Sequence, residues 1–275
     1  MDKHKLQQMQ VDLERSRSYL QQVEANLKAS QQGTQYSPIQ IPESQVEIIS
    51  VHAPKTAGSF FNYVLRQVYG NYLFNDYKEQ IHPSLFHVIK AIPQANSEFI
   101  NNLLSTNIKA IHGHFPIAKY EEYFPKAKRI VWLRNPIKRI ISTYYFILSE
   151  SRTWANDPVS KFIAELNLDI YDFVELPAIQ NQIYNYYCRG LELSEFDFVG
   201  IHEYLNEDII ELKHLMKWPD FTWQRVNDNK YPNYQDHLST LMNDHKLIEK
   251  ISLLNKEDMH LYELALKLRE TRRKY

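Results

Sequence analysis

A short basic turn follows a β-rich run and precedes a helix-like stretch, and it consists of Pro54, Lys55, Thr56, Ala57, Gly58 and Ser59. In a turn of this kind, backbone N–H groups and the positive end of the helix converge on an anion. Lys55 adds a full positive charge, and Ser59 adds a hydroxyl donor. The turn therefore predicts a phosphate-sized anion site; the alternative is an ordinary strand-to-helix turn with a solvated lysine.

The lysine of this turn precedes the glycine, whereas in a Walker A loop the lysine follows it. No Gly-x-x-x-x-Gly-Lys sequence occurs anywhere in the chain. A nucleotide-binding, kinase-like P-loop enzyme is therefore disfavoured, but it stays open as one alternative function.

A second group of polar residues begins at Arg134, directly after the buried run 129–133. Arg134 suits a bidentate phosphate contact, and Ser142, eight residues later on a helix, can donate its hydroxyl to the same phosphate. Open α/β sheets bind ligands at the carboxyl ends of their strands, so this group is predicted to share a crevice with the basic turn. Two roles stay open for Arg139, a contact with the ligand and a solvated charge on the helix. Lys138 is interpreted as a solvated charge.

Two histidines, His112 and His114, flank Gly113 after another predicted strand, 109–111. A histidine at a sheet edge can take a proton from an attacking hydroxyl near neutral pH. The alternatives are a structural role and a metal site. Metal is disfavoured because no third ligand lies at a suggestive spacing nearby.

Strand-like runs alternate with helix-like runs along the chain. The predicted strands are 46–52, 108–111, 129–133 and 196–201, and the predicted helices include 59–69, 137–148, 171–187 and 205–218. This alternation predicts an α/β fold with a central parallel sheet flanked by helices.

The 275 residues carry a formal net charge of -1, which provides no general attraction to nucleic acid or to an anionic membrane. No run of about 18 to 20 apolar residues exists that could span a bilayer. The single cysteine, Cys188, cannot form an internal disulfide. We therefore expect a cytoplasmic protein without a membrane span.

Leucines recur every seven residues at Leu6, Leu13, Leu20 and Leu27. The spacing predicts a coiled-coil-like helix over 1–32 that could form a homodimer, or else an amphipathic helix that packs on its own domain. A linker, 33–45, separates it from the remaining domain, 46–275. A non-catalytic coiled-coil adaptor is the other alternative function.

The order and spacing of 54–59, 112–114 and 133–136, with Arg139 and Ser142, resemble the sulfotransferase family that includes heparan sulfate 2-O- and related carbohydrate sulfotransferases. The resemblance covers about 46–265. It implies a P-loop-like sulfotransferase fold that uses 3′-phosphoadenosine 5′-phosphosulfate (PAPS) and no metal, and a hydroxyl acceptor on an oligosaccharide or glycoconjugate.

The resemblance also implies a role for each motif. The turn Pro54 to Ser59 holds the 5′-phosphosulfate, and Arg134 and Ser142 hold the 3′-phosphate. His114 is the catalytic base, Lys55 stabilises the leaving group, and His112 supports the reaction near the acceptor. Phe60 replaces a hydroxyl residue that relatives often have, and 181–190 matches the acceptor segment only loosely, so the donor site is better supported than the acceptor.

Overall fold

The computed structural model of the chain describes residues 46–77, 97–150, 168–222, 229 and 231–274. The predicted heptad helix over 1–32 and the linker over 33–45 lie outside these residues. The coil and the homodimer that it would form therefore stay predictions.

Five parallel strands form one sheet, and they are β1 (Ile48–Val51), β2 (Leu73–Asp76), β3 (Ala110–Gly113), β4 (Lys128–Leu133) and β5 (Phe198–Ile201). Their order across the sheet is β2-β3-β1-β4-β5, and every neighbouring pair is parallel. β1 therefore lies between β3 and β4. Both faces of the central strands are buried, as parallel sheets require. The predicted α/β fold is confirmed.

The helices are α1 (Gly58–Tyr69), α2 (Ser97–Leu104), α3 (Pro136–Glu150), α4 (Ile170–Phe173), α5 (Leu205–Met216), α6 (Tyr234–Met242), α7 (His245–Leu254) and α8 (Lys256–Arg272). A π-helical turn spans Ile183–Tyr187. In the described part of the chain, no helix has both the length and the apolar character that crossing a bilayer requires.

Alternate residues of the strands face two separate apolar layers, as the pleat dictates. On one face, Ile48 and Trp132 pack with buried residues of α1 and α5. On the other face, Ile49 and Val131 pack with Leu261 and other buried residues of α8. A third apolar cluster joins α3, α4, α6 and α7 beside the sheet. The sheet is thus flanked by helices on both faces, as predicted.

The predicted helix over 171–187 is interrupted: α4 ends at Phe173, and the next helical segment is the π-helical turn Ile183–Tyr187. Pro177 lacks the N–H that a helix needs, and Asn181 takes a positive φ of 48°. The side chain of Asn181 instead caps α8, since its Oδ1 accepts hydrogen bonds from the backbone N–H groups of Glu257 (2.9 Å) and Asp258 (3.2 Å). The strand β2 was not predicted, because its four residues Leu-Phe-Asn-Asp carry little β signal.

Gly113 of β3 pairs with Asp76 of β2, and this contact gives a stability prediction. A Cβ atom there would lie 1.8 Å from the backbone oxygen of Asp76. Gly113→Ala must therefore displace backbone, and we expect it to lower the free energy of unfolding by about 3 kcal/mol, measured by urea denaturation.

Gly70→Ala is the matched control for this substitution. Gly70 has a φ of +53°, but no atom lies within 4 Å of an added Cβ. Its cost should be only the backbone strain, about 1 to 3 kcal/mol, because its φ and ψ are ones that L residues rarely adopt. A loss below about 1 kcal/mol in Gly113→Ala would show that the contact between Gly113 and Asp76 is not tight.

Candidate active site

The carboxyl ends of β1, β3 and β4 meet at one edge of the sheet, where Val51 pairs in register with both Gly113 and Val131. The basic turn follows β1, and Arg134 follows β4. Arg134 Nη1 donates a hydrogen bond to the backbone oxygen of Lys55 at 3.2 Å. The structure thus brings together the basic turn and Arg134, the two motifs for which the sequence predicts anion binding.

The basic turn holds its shape through its own backbone and one buried side chain. Lys55 and Ala57 have positive φ values of 63° and 89°. Thr56 is buried, and its Oγ1 donates to the backbone oxygen of Ala53 at 2.8 Å, so it closes the turn. Ala57 offers no side-chain cap to α1. The first N–H groups of α1, next to the partly exposed Ser59, therefore have no capping side chain.

Gly58 allows this turn to approach the ring of His52. A Cβ on Gly58 would lie 1.7 Å from His52 Cδ2, so any other residue would force the two apart. His52 was not singled out from the sequence, although a histidine directly after a strand at the ligand edge was a usable signal.

His112 lies beneath the turn and is fully buried. Its Nε2 donates to the backbone oxygen of Gly58 at 3.2 Å, because a carbonyl can only accept, and its Nδ1 then accepts from Ser50 Oγ at 3.0 Å. Burial lowers the pKa of His112 to about 3. The structure therefore places His112 as a neutral support for the turn.

His114 follows β3 and is only partly buried. Its Nδ1 lies 2.6 Å from the backbone oxygen of His52, to which it must donate. The neutral ring then carries its proton on Nδ1 and leaves the lone pair of Nε2 for another proton. Burial lowers the pKa of His114 below 6.5, although the bond to His52 opposes this shift. His114 is therefore unprotonated at neutral pH, as a general base must be.

The ring of His52 lies between the two predicted histidines. Its centroid is 4.4 Å from that of His114 and 5.2 Å from that of His112. The hydroxyl of Tyr77 accepts a hydrogen bond from Asn62 Nδ2 at 3.1 Å and shares another with His52 Nδ1 at 2.9 Å. Burial, followed by the neighbouring histidines, holds the pKa of His52 well below its usual range. The cluster thus consists of three neutral imidazoles.

On the opposite wall, α3 carries Ser142 and Phe146 one helical turn apart, on the same face of the helix. Ser142 is buried, and Lys55 Nζ lies 4.2 Å from the centroid of the Phe146 ring. Arg134 Nε is buried and has no hydrogen-bond partner. An unsatisfied guanidinium N–H beside the basic turn is consistent with an anionic ligand.

Arg139 does not belong to this crevice. It is fully buried, and it bonds to Asp258 Oδ2 at 3.2 Å and to Gln182 Oε1 at 3.0 Å. Asp258 also accepts from the backbone N–H of Tyr184 at 2.9 Å. Neither interpretation of Arg139 from the sequence was right, since it fixes the π-helical turn that places Tyr187 6.4 Å from His114, measured between ring centroids.

In the described part of the chain, no group of three or more histidine, cysteine, aspartate or glutamate side chains is arranged to hold a metal ion. The ring of His52 packs against those of His112 and His114, and nitrogens of the three rings bond to Ser50, Tyr77 and backbone oxygens. The cluster is therefore organised around hydrogen bonds to the protein.

The buried His112 gives a pH prediction. Its pKa is about 3 in the folded chain, against 6.5 when exposed, so below about pH 6.5 the unfolded chain binds a proton that the folded chain does not. Stability should therefore fall as the pH falls, by about 2 kcal/mol from this residue between about pH 6.5 and about pH 5. Urea denaturation across this pH range measures the effect.

His112→Asn should remove this part of the pH dependence, whereas His260→Asn, at an exposed position of α8, should not. An unchanged pH dependence in His112→Asn would show that the folded chain protonates His112 as readily as the unfolded chain does.

Residues 41–265 match the sequence profile of a family described as the Sulfotransferase family. Among solved structures, this chain is similar to a sulfotransferase from Alicyclobacillus acidocaldarius, with 12% identity and a TM-score of 0.36. That similarity covers 78% of this chain and 96% of the other. A search of curated proteins finds no significant match. Because the TM-score is low, the family assignment rests on the sequence profile. Its match over most of the chain shows that this protein belongs to the sulfotransferase family of enzymes.

Proposed function

We propose that the protein transfers a sulfuryl group from PAPS to a hydroxyl of an acceptor, with His114 as the general base. The observation that carries this proposal is the meeting of the basic turn with Arg134, whose Nη1 bonds to the backbone oxygen of Lys55 at 3.2 Å. Two cationic residues that follow different strands, Lys55 and Arg134, thus lie at one crevice, beside the neutral His114.

The residues present fit the two anionic ends of such a donor. At one end, the first N–H groups of α1, Lys55 and Ser59 would bind the 5′-phosphosulfate. At the other end, Arg134 and Ser142 would bind the 3′-phosphate, which would supply the acceptor that the buried Arg134 Nε lacks. The remaining residues of the turn would contribute to donor binding by giving the backbone its shape.

His114 Nε2 would take the proton of the acceptor hydroxyl while the hydroxyl oxygen forms a bond to sulfur. The bond between sulfur and the bridging oxygen of the 5′-phosphate breaks, so the products are a sulfate ester and adenosine 3′,5′-bisphosphate. The protonated His114 then returns its proton to solvent. Lys55 would offset the negative charge that grows on the departing oxygen, as cationic groups do in phosphoryl transfer.

A carbohydrate acceptor is the one that the resemblance of the motifs implies. Beside His114, the partly exposed Tyr77 lies edge-on to the histidine ring at 5.0 Å between centroids, whereas Tyr187 is buried in the apolar core. Tyrosines present an apolar face and a polar edge, which suits a sugar ring and its hydroxyls. An oligosaccharide or glycoconjugate is therefore our proposed acceptor, and a cytoplasmic location remains a prediction from the sequence.

Isothermal titration calorimetry with adenosine 3′,5′-bisphosphate tests the donor site. We expect the wild-type protein to bind it more tightly than ATP with magnesium, and Lys55→Ala and Arg134→Ala each to weaken binding by about tenfold or more, because each removes a charged phosphate contact.

Lys138→Ala is the control for charge, since it removes a cation from the first turn of α3 without touching the proposed contacts. An equal loss in Lys138→Ala would indicate general electrostatic attraction. Preference for ATP with magnesium would favour a kinase-like enzyme, and binding of neither nucleotide would favour an adaptor.

Turnover of PAPS tests the base. His114→Ala should bind adenosine 3′,5′-bisphosphate within about twofold of the wild type but lose about a hundredfold or more in kcat, as expected when a general base is removed. The wild-type rate should fall as the pH drops through the pKa of His114, which lies below 6.5. His260→Ala is the control histidine variant; undiminished turnover in His114→Ala would exclude the assigned role.

A further inference from the structure

The ammonium of Lys55 lies over the face of the Phe146 ring, 4.2 Å from its centroid. This distance is within the range of effective cation–π attraction. Phe146 is on α3 at a partly exposed position, one turn after Ser142. The aromatic face therefore belongs to the wall of the crevice that faces the basic turn.

Lys55 is held at both ends. Its backbone oxygen accepts from Arg134 Nη1, and its ammonium contacts the Phe146 ring. A long lysine side chain has many rotamers, and binding an anion requires that most of them be given up. Contact with a rigid ring restricts these rotamers before any ligand arrives.

An aromatic ring suits this role better than a carboxylate. A carboxylate would neutralise the ammonium and would repel a phosphate that entered the crevice. The ring attracts the ammonium through its quadrupole but carries no net charge, so contact with the ring does not itself neutralise the ammonium.

We propose that Phe146 is a positioning residue for Lys55, whose ring holds the lysine ammonium at the donor crevice. This inference rests on the proposed function, because it assumes that Lys55 binds the donor. Phe146 itself need not contact the donor, and its effect is transmitted through the lysine.

Substitutions at position 146 distinguish the effect of the aromatic face on binding from the effect of apolar packing. Phe146→Leu keeps an apolar side chain but removes the π face, and we expect it to raise the Kd for adenosine 3′,5′-bisphosphate by about three- to fivefold, with a similar loss in kcat/KM for PAPS. Phe146→Tyr keeps the ring and should restore both values to within about twofold of the wild type.

Ile147→Ala is the matched control, since the neighbouring side chain packs into the cluster of α3, α4, α6 and α7 instead. It should lower the thermal midpoint without changing the Kd. If Ile147→Ala weakens binding as much as Phe146→Leu does, the effect is general to α3 and the inference is wrong.

A double-mutant cycle shows whether Phe146 acts through Lys55. In a Lys55→Ala background the ammonium is absent, so adding Phe146→Leu should leave the Kd unchanged. An additive loss in the double variant would mean that Phe146 acts independently of the lysine, and would overturn the inference.

A measurement without any donor separates this inference from the proposed function. Lysines methylated reductively with ¹³C keep their charge, and the Lys55 signal can be identified by its loss in Lys55→Arg. A ring current should shift that NMR signal upfield in the wild type and in Phe146→Tyr, and the shift should vanish in Phe146→Leu. An unshifted wild-type signal overturns the inference, whereas a shifted signal in a protein that fails to bind adenosine 3′,5′-bisphosphate overturns the proposed function instead.

Discussion

The backbone of His52 joins the basic turn to the histidine cluster. Its N–H donates to the backbone oxygen of Gly113 at 2.7 Å, and its own oxygen accepts from His114 Nδ1 at 2.6 Å. Its ring occupies the space that a side chain at position 58 would need. His52, directly after β1, thus fixes the spacing between β1 and β3 and the tautomer of His114. Its ring also limits how closely the turn can approach, which explains why glycine is required at position 58.

Charge is distributed unevenly around this residue. Lys55 and Arg134 place positive charge on the crevice, whereas burial keeps His112 and His52 neutral at physiological pH. Had either ring been protonated, it would have lowered the basicity of His114 by repulsion. The neutral cluster therefore keeps His114 able to accept a proton close to two cations, as its proposed role as a general base requires.

The sequence predicted the parts of the site that follow from strand order and residue type. Lys55 and Arg134 meet because parallel strands present their carboxyl ends at one edge, and this required no knowledge of packing. His52 directly follows β1 at the same edge, so its position could have been noticed in the sequence. Phe146 could not be assigned in this way, because its role depends on contact with Lys55, which lies far away in the sequence. The break in the predicted helix over 171–187 depends likewise on Asn181, whose left-handed conformation is stabilised by contacts with the distant α8.

A crystal structure of the protein with adenosine 3′,5′-bisphosphate tests the central claim most directly. Our account predicts the 5′-phosphate against the N–H groups of 55–59, the 3′-phosphate within hydrogen-bond distance of Arg134 and Ser142, and His114 Nε2 facing the 5′-phosphate. A nucleotide bound at another surface, or one whose 5′-phosphate lies away from His114, would contradict it.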